Sequence, residues 1–339
     1  MRLKLLIFSL LVGLSLNVAA QIKPIEFKLK YAMAMGVLKD SSSAKKLLNS
    51  GILINTKIGE IVTCQIPYDK VEIAKSYFKH LELSNNANSM RAQNFTALKL
   101  SKVDKAQNGK SNQLKTDYSG KDVVVGIVDI GFQTDHPTFY DTEGKKYRVK
   151  RYWDQEDENG ISPNGYSYGK ECKDSGSIVN QLDFQGSHGT HVAGTAAGSG
   201  YSSKNLVHRG VAYDADLVFV KILHTNDTLG ASALGDYIIA NPAVIDAYQY
   251  IFDYAESVGK PAVINLSWGL HSGSHDGNSI FDKAVEGLVN DRPGRVIVGA
   301  NGNSGETRMH FKYDFNQDTI RTIAFDRGKS WSEKESIYV

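Results

Sequence analysis

Four short, unbroken apolar runs stand between residues 123 and 299: VVVGIV (123–128), ADLVFVKIL (215–223), AVINL (262–266) and RVIVG (295–299). A strand with one wet face alternates apolar and polar residues. A run without alternation belongs to a strand covered on both faces, the condition of parallel sheets. Helical patterns fill the intervals. Residues 191–197 are rich in small side chains. Residues 242–258 carry Val244, Ile245, Tyr248, Ile251, Phe252 and Ala255 on one face and stop at Gly259-Lys260-Pro261. Residues 279–290 repeat the pattern with Ile280, Phe281, Ala284, Leu288 and Val289. Strands alternating with helices predict an α/β fold, a doubly wound, mostly parallel sheet, over residues 91–305. Active sites of such sheets lie beyond the carboxyl ends of the strands.

Other segments keep a different rhythm. Residues 21–90 read as a separate α+β unit. Ile52 to Ile66 gives two strands around Lys57-Ile58-Gly59, Tyr68 to Lys79 has helical spacing, and Leu81 to Leu83 gives a further short strand. Residues 84–93 are polar and aperiodic, as in an exposed linker. Residues 141–185, rich in Tyr, Gly, Asn and charge, predict a long surface excursion. Residues 309–338 read as an antiparallel hairpin, so 306–339 is expected to begin a β-rich insert.

The N-terminus has a basic start (Arg2, Lys4), an apolar stretch from Leu5 to Leu16, and small residues Val18, Ala19 and Ala20 before Gln21. This is the pattern of a secretory signal peptide over residues 1–20. The alternative, a membrane anchor, needs about 20 apolar residues. The expected location is secreted or periplasmic, with no membrane association after signal removal. A formal net charge of +2 and no block of Lys or Arg argue against a nucleic-acid partner. Two cysteines, Cys64 and Cys172, make one disulfide arithmetically available, but buried small residues are their commoner use.

Three residues suggest chemistry. Asp129 ends the first apolar strand, where a poorly hydrated carboxylate needs a partner. His188 opens HGTHVAG, the start of a small-residue helix suited to close packing on a sheet. Asn303 lies in GANGNSG, just past RVIVG. Singly, each has a structural explanation: a strand-terminal cap, a satisfied histidine, a turn residue. His188 and His191 have a spacing that suits two metal ligands on one helix, but neither a third ligand nor HExxH accompanies them. No metal site is expected, and His191 reads as a structural helix residue.

Taken together, the order and surroundings of these residues resemble subtilisin-like serine peptidases over residues 100–305. VVVGIVDIGFQTDHPTF is similar to the family's aspartate motif, HGTHVAG to its histidine motif, GANGNSG to its oxyanion motif, and VINLSWG (263–269) to its substrate-binding strand. The resemblance implies that His188 is the base taking a proton from a serine hydroxyl, oriented by Asp129. It implies that Asn303 donates to the oxyanion, a contact worth about 3–4 kcal/mol in subtilisin itself. Ser267, Trp268, Gly269 and Gly302 are the implied substrate-binding residues, the first three pairing with an extended peptide or protein substrate. Residues near Thr225 to Gly230 are the implied opposite wall of the cleft.

Residues 21–90 resemble the family's inhibitory propeptide, an intramolecular partner expected to be cut within residues 84–97. That separation predicts no Cys64–Cys172 disulfide. Ile130 stands where the family more often has Ser or Thr, and Thr138 where many members have a calcium-binding Asp. No cofactor is expected, and structural calcium has no support in the sequence. No Gly-Thr-Ser-Met-Ala-like string, the setting of the nucleophile, occurs. The expectation is therefore an endopeptidase precursor whose chain stops before that serine and is inactive as it stands. The alternative is a peptidase-like module that binds peptides or a partner without cleaving them.

Overall fold

The computed structural model describes residues 31–83, 101–109, 114, 116–181, 183, 187–203, 206, 208–226, 237–239, 241–269 and 276–302. Its first unit runs β1 (Tyr31–Leu38), α1 (Ser43–Asn49), β2 (Leu53–Ile58), β3 (Ile61–Pro67), α2 (Val71–Lys75) and β4 (Phe78–Leu83). The strands form an antiparallel sheet in the order β2-β3-β1-β4. The sequence missed β1 and α1 and ran α2 too far. Phe78 belongs to a strand because its ring is buried with Ala34, Leu47, Val62 and Ile66 between the sheet and α1. The expected signal peptide, the expected linker and residues 303–339, with the expected hairpin and Asn303, lie outside the described residues.

The second unit continues with α3 (Val103–Gln107), β5 (Val124–Asp129), β6 (Val149–Asp154), β7 (Lys170–Cys172), α4 (Ser175–Val179), α5 (Ser187–Ala197), β8 (Asp216–Lys221), β9 (His224–Asn226), β10 (Tyr237–Ile239), α6 (Asn241–Ser257), β11 (Ala262–Leu266), α7 (Ile280–Asn290) and β12 (Arg295–Gly299). Six strands form one sheet, β12-β11-β5-β8-β6-β7, parallel except for β7. All four apolar runs are strands of it. β9 and β10 pair separately.

Side chains of the central strands go alternately to two cores. Val124, Val128, Val218, Val220, Ile264 and Leu266 pack with α6 and α7. Val125, Ile127, Leu217 and Phe219 pack with Ala193 and Ala197 of α5, whose small side chains let it lie close to the sheet. Met33 and Met35 of β1 join the α6–α7 core, so the four-stranded sheet covers the outer side of those helices. Ser279 caps α7 with a reciprocal Asp282 bond.

Two expectations are corrected. Residues 141–185 are not a surface excursion: they supply β6, β7 and α4, and Tyr152, Trp153 and Tyr168 are buried. Lys150 and Arg151 within β6 disguise it, and Lys150 lies 3.6 Å from Asp216 of β8. In β12, Val296 and Val298 are 46% and 49% exposed, so one face of this apolar run has no cover among the described residues. Cys64 and Cys172 are free thiols buried in separate cores. No helix among the described residues is long and apolar enough to cross a membrane.

Candidate active site

Asp129 is the last residue of β5 and points to the α5 face, following Val125 and Ile127. α5 starts at Ser187, which puts His188 in its first turn beside the strand end. The approach depends on Gly189, where an added Cβ would collide with Gly131 O and stand 3.0 Å from Asp129 Cβ. Gln133 N donates to Thr190 Oγ1 (2.7 Å), tying the loop after β5 to the same helix turn.

The outcome is a 2.7 Å contact between His188 Nδ1 and Asp129 Oδ1. The Asp129 side chain has no solvent exposure and that of His188 is 16% exposed. A carboxylate only accepts, so Nδ1 carries the proton and the Nε2 lone pair remains available. The bond to Asp129 holds the imidazole above its ordinary value, against burial, which pulls it down. Ile130 N also donates to Oδ1 (2.8 Å), and Asp129 Oδ2 has no hydrogen-bond partner among the described residues. With isoleucine at 130, the neighbouring side chain has no hydroxyl to offer it.

Ala300 N donates to Leu266 O (2.9 Å), which sets residues 300–302 beside the end of β11. Asn265 Nδ2 donates to Ser267 Oγ (2.7 Å). The Trp268 ring is buried in the α6–α7 core. Gly269 and Gly302 are exposed, and Gly302 has φ +78°, which favours glycine. His191 is exposed on α5, and no metal-binding cluster occurs among the described residues. Of the implied opposite wall, Thr225 and Asn226 lie in β9, and 227–230 are outside the described residues.

Sequence reading missed two buried polar groups, one beside the site and one at the other end of the sheet. Lys221, in register with Asp129, lies 3.4 Å from Asp154, 3.2 Å from Glu156 and 3.5 Å from Asp183. Burial pulls its ammonium down, but these carboxylates outweigh that and hold it above the usual range. Arg148, 3% exposed, donates to the carbonyls of Thr138 (2.9 Å), Tyr140 (3.1 Å), Ala197 (2.7 Å) and Ala215 (3.0 Å). A guanidinium already uses the oxygens beside Thr138, whose own side chain is neutral. A calcium ion does not fit there. Arg148 and the three carboxylates around Lys221 lie within 141–185, read as surface.

The Subtilase family model (Peptidase S8) matches residues 120–327, more than half of the chain. The chain is 24% identical over 243 residues to Subtilisin-like protease 9 of Arthroderma benhamiae, covering 70% of this chain and 47% of that protein. It is 29% identical over 220 residues to fervidolysin of Fervidobacterium pennivorans, covering 64% of this chain and 26% of that protein. Among solved structures it is similar to the CspB protease of Clostridium perfringens, at 28% identity and a TM-score of 0.42, over 54% of this chain and 36% of that one. The chain thus spans about half or less of the length of these curated relatives. The ordered motifs, the parallel sheet and the Asp129–His188 pair at its carboxyl edge agree with that match, and the chain belongs to the subtilase family.

Proposed function

We propose that this chain carries the acid–base half of a serine endopeptidase that cleaves extended peptide or protein substrates. The observation that carries the reading is the 2.7 Å bond from His188 Nδ1–H to the sealed Asp129 carboxylate. A serine hydroxyl is too weak an acid to attack an amide unaided, and Nε2 takes its proton as the C–O bond forms. Asp129 stabilises the resulting imidazolium, which then protonates the leaving amine. Asn303 and a backbone N–H receive the oxyanion, and Ser267–Gly269 pair with the substrate backbone. A Gly-Thr-Ser-Met-Ala-like string to seat the nucleophile does not occur in residues 1–339. Residues 1–20 direct export, and residues 21–90 act as the propeptide of a zymogen, cut within 84–97.

A fluorophosphonate probe tests this, since labelling needs a serine activated beside oxyanion donors. The 339-residue chain stays unlabelled. A chain continued through a GTSMA-like motif is labelled, and His188→Ala abolishes the labelling. Stoichiometric labelling of the 339-residue chain would overturn the assignment and point to Ser330, Ser332 or Ser336.

A further inference from the structure

Helix α6 is apolar towards the six-stranded sheet, and its outer side is covered by the four-stranded one. In that second interface lies Asp246, with no solvent exposure. Four neutral groups donate to its carboxyl. Asn55 Nδ2 (3.1 Å) and Tyr168 OH (2.8 Å) bond Oδ2. Thr56 Oγ1 (2.8 Å) and Thr63 Oγ1 bond Oδ1. Three of the four donors belong to the four-stranded sheet, and Tyr168 comes from the segment joining β6 to β7.

The local backbone is shaped to this carboxyl. Successive strand residues point to opposite faces, so Asn55 and Thr56 could not both reach it from a regular strand. Here the register shifts: Ile54 pairs with Cys64 and Thr56 with Thr63, leaving Asn55 as an extra residue on β2. Such a bulge re-aims side chains. Thr56 N also donates to Thr63 Oγ1 (3.0 Å), which orients that hydroxyl.

We infer that Asp246 is the residue by which α6 recognises and holds the four-stranded sheet, and that this hold weakens as pH rises. No lysine, arginine or histidine bonds to it among the described residues. The titratable groups facing it are Cys64 on β3 and Tyr166 and Tyr168 from the β6–β7 segment; Tyr31 on β1 lies beside Tyr168 and Glu158, and Asp253 lies two turns along α6. Burial pushes Tyr31 and Cys64 up to about 12 and the other two tyrosines well above their usual range, so all four stay neutral. Burial likewise raises the Asp253 carboxyl. An ionised carboxylate sealed among neutral groups is costly, while the neutral acid is not. Burial therefore pushes Asp246 up to about 6, against the pull of its four donors.

When the four-stranded sheet lifts away, water replaces three donors and the carboxyl returns towards its ordinary 3.8. The closed interface thus holds a proton that the open one releases. Its extra stability is full below about pH 4 and is lost as pH rises through about 6. This goes beyond the proposed peptidase activity and needs no turnover.

Hydrogen exchange of the full chain tests it, comparing amides of β2 and β3 with those of β5 in the same molecule. After correction for intrinsic exchange, the opening constant of β2–β3 rises about tenfold between pH 5 and pH 7. Asp246→Asn, a neutral isostere, removes the rise. Thr63→Val takes one donor from the charged form and enlarges the rise; it decides the matter if the Asn variant also loses β5 protection. A wild-type opening constant flat within twofold, a rise that persists in folded Asp246→Asn, or a wild-type profile in Thr63→Val would each overturn the inference.

Discussion

Asp129 at the cleft and Asp246 under the four-stranded sheet are carboxyls of equal burial in different company. Both have no solvent exposure. Asp129 gives one oxygen to a histidine that reaches solvent, so the charge it needs arrives or leaves with a proton on His188. Asp246 bonds four neutral donors, three from the four-stranded sheet and one from the β6–β7 segment, and has no lysine, arginine or histidine bonded to it among the described residues. Burial alone therefore does not set the proposed catalytic carboxylate apart. A partner able to exchange a proton with a cleft does, while a cage of hydroxyls and an amide marks a structural one.

The largest test of this contrast is kinetic. In a serine-complete chain, His188→Ala should lower kcat by about 10⁶-fold and Asp129→Asn by about 10⁴-fold, as in the well-studied triads. Asp246→Asn should leave kcat within about twofold, measured by peptide hydrolysis at saturating substrate. A comparable loss in Asp246→Asn would erase the distinction.

Arg148 extends the contrast to a buried cation. Like Asp246 it has four neutral partners, and burial pulls its guanidinium down to about 10. Arg148→Met strands those carbonyls and should cost about 3–5 kcal/mol by denaturant unfolding. Added calcium should not restore the loss; recovery with calcium would show that a metal can replace the guanidinium.

A smaller effect separates the two carboxyls by pH. His188 gains a partner and its pKa is raised, so the stability it contributes is full below its unfolded value, near 6.5, and is lost as pH rises through the folded value. NMR should find the His188 ring titrating above 6.5, and Asp129→Asn should move it down. An unchanged titration would show that the bond does not govern the imidazole. Activity should rise with pH through the same value, because only neutral His188 accepts a proton.

The smallest effect tests burial itself. Val298→Thr on the half-exposed face of β12 should change the stability of the 339-residue chain by less than about 0.5 kcal/mol. The same change at Val125 puts a hydroxyl into a closed core and should cost about 1–3 kcal/mol. Equal costs would mean that β12 is covered after all.

The strands were legible because an unbroken apolar run has few alternatives to a covered strand. HGTHVAG was legible because a helix crossing close to a sheet excludes large side chains, and Gly189 shows where that exclusion is absolute. Strands β6 and β7 were not legible. At the edge of a sheet, Lys150 and Arg151 are tolerated by pairing with Asp216 and Glu171, so the apolar signal is diluted although Tyr152 and Trp153 are buried.

By itself, the sequence determined the parallel sheet, the order of its motifs and the approach of His188 to Asp129. The sheet follows from local periodicity, and the pairing of His188 with Asp129 from the resemblance of the ordered motifs to subtilisin-like peptidases. Tertiary structure alone decided what lies on the other side of α6. The helical pattern showed one apolar face, with Asp246 outside it, as a solvated carboxylate would be. A second sheet packs on that side, and α6 is buried through Pro242–Tyr248. Periodicity reports which face of a helix must be covered. It says nothing of a polar residue that becomes covered because a distant strand, bulged at Asn55, brings the donors that make its burial tolerable.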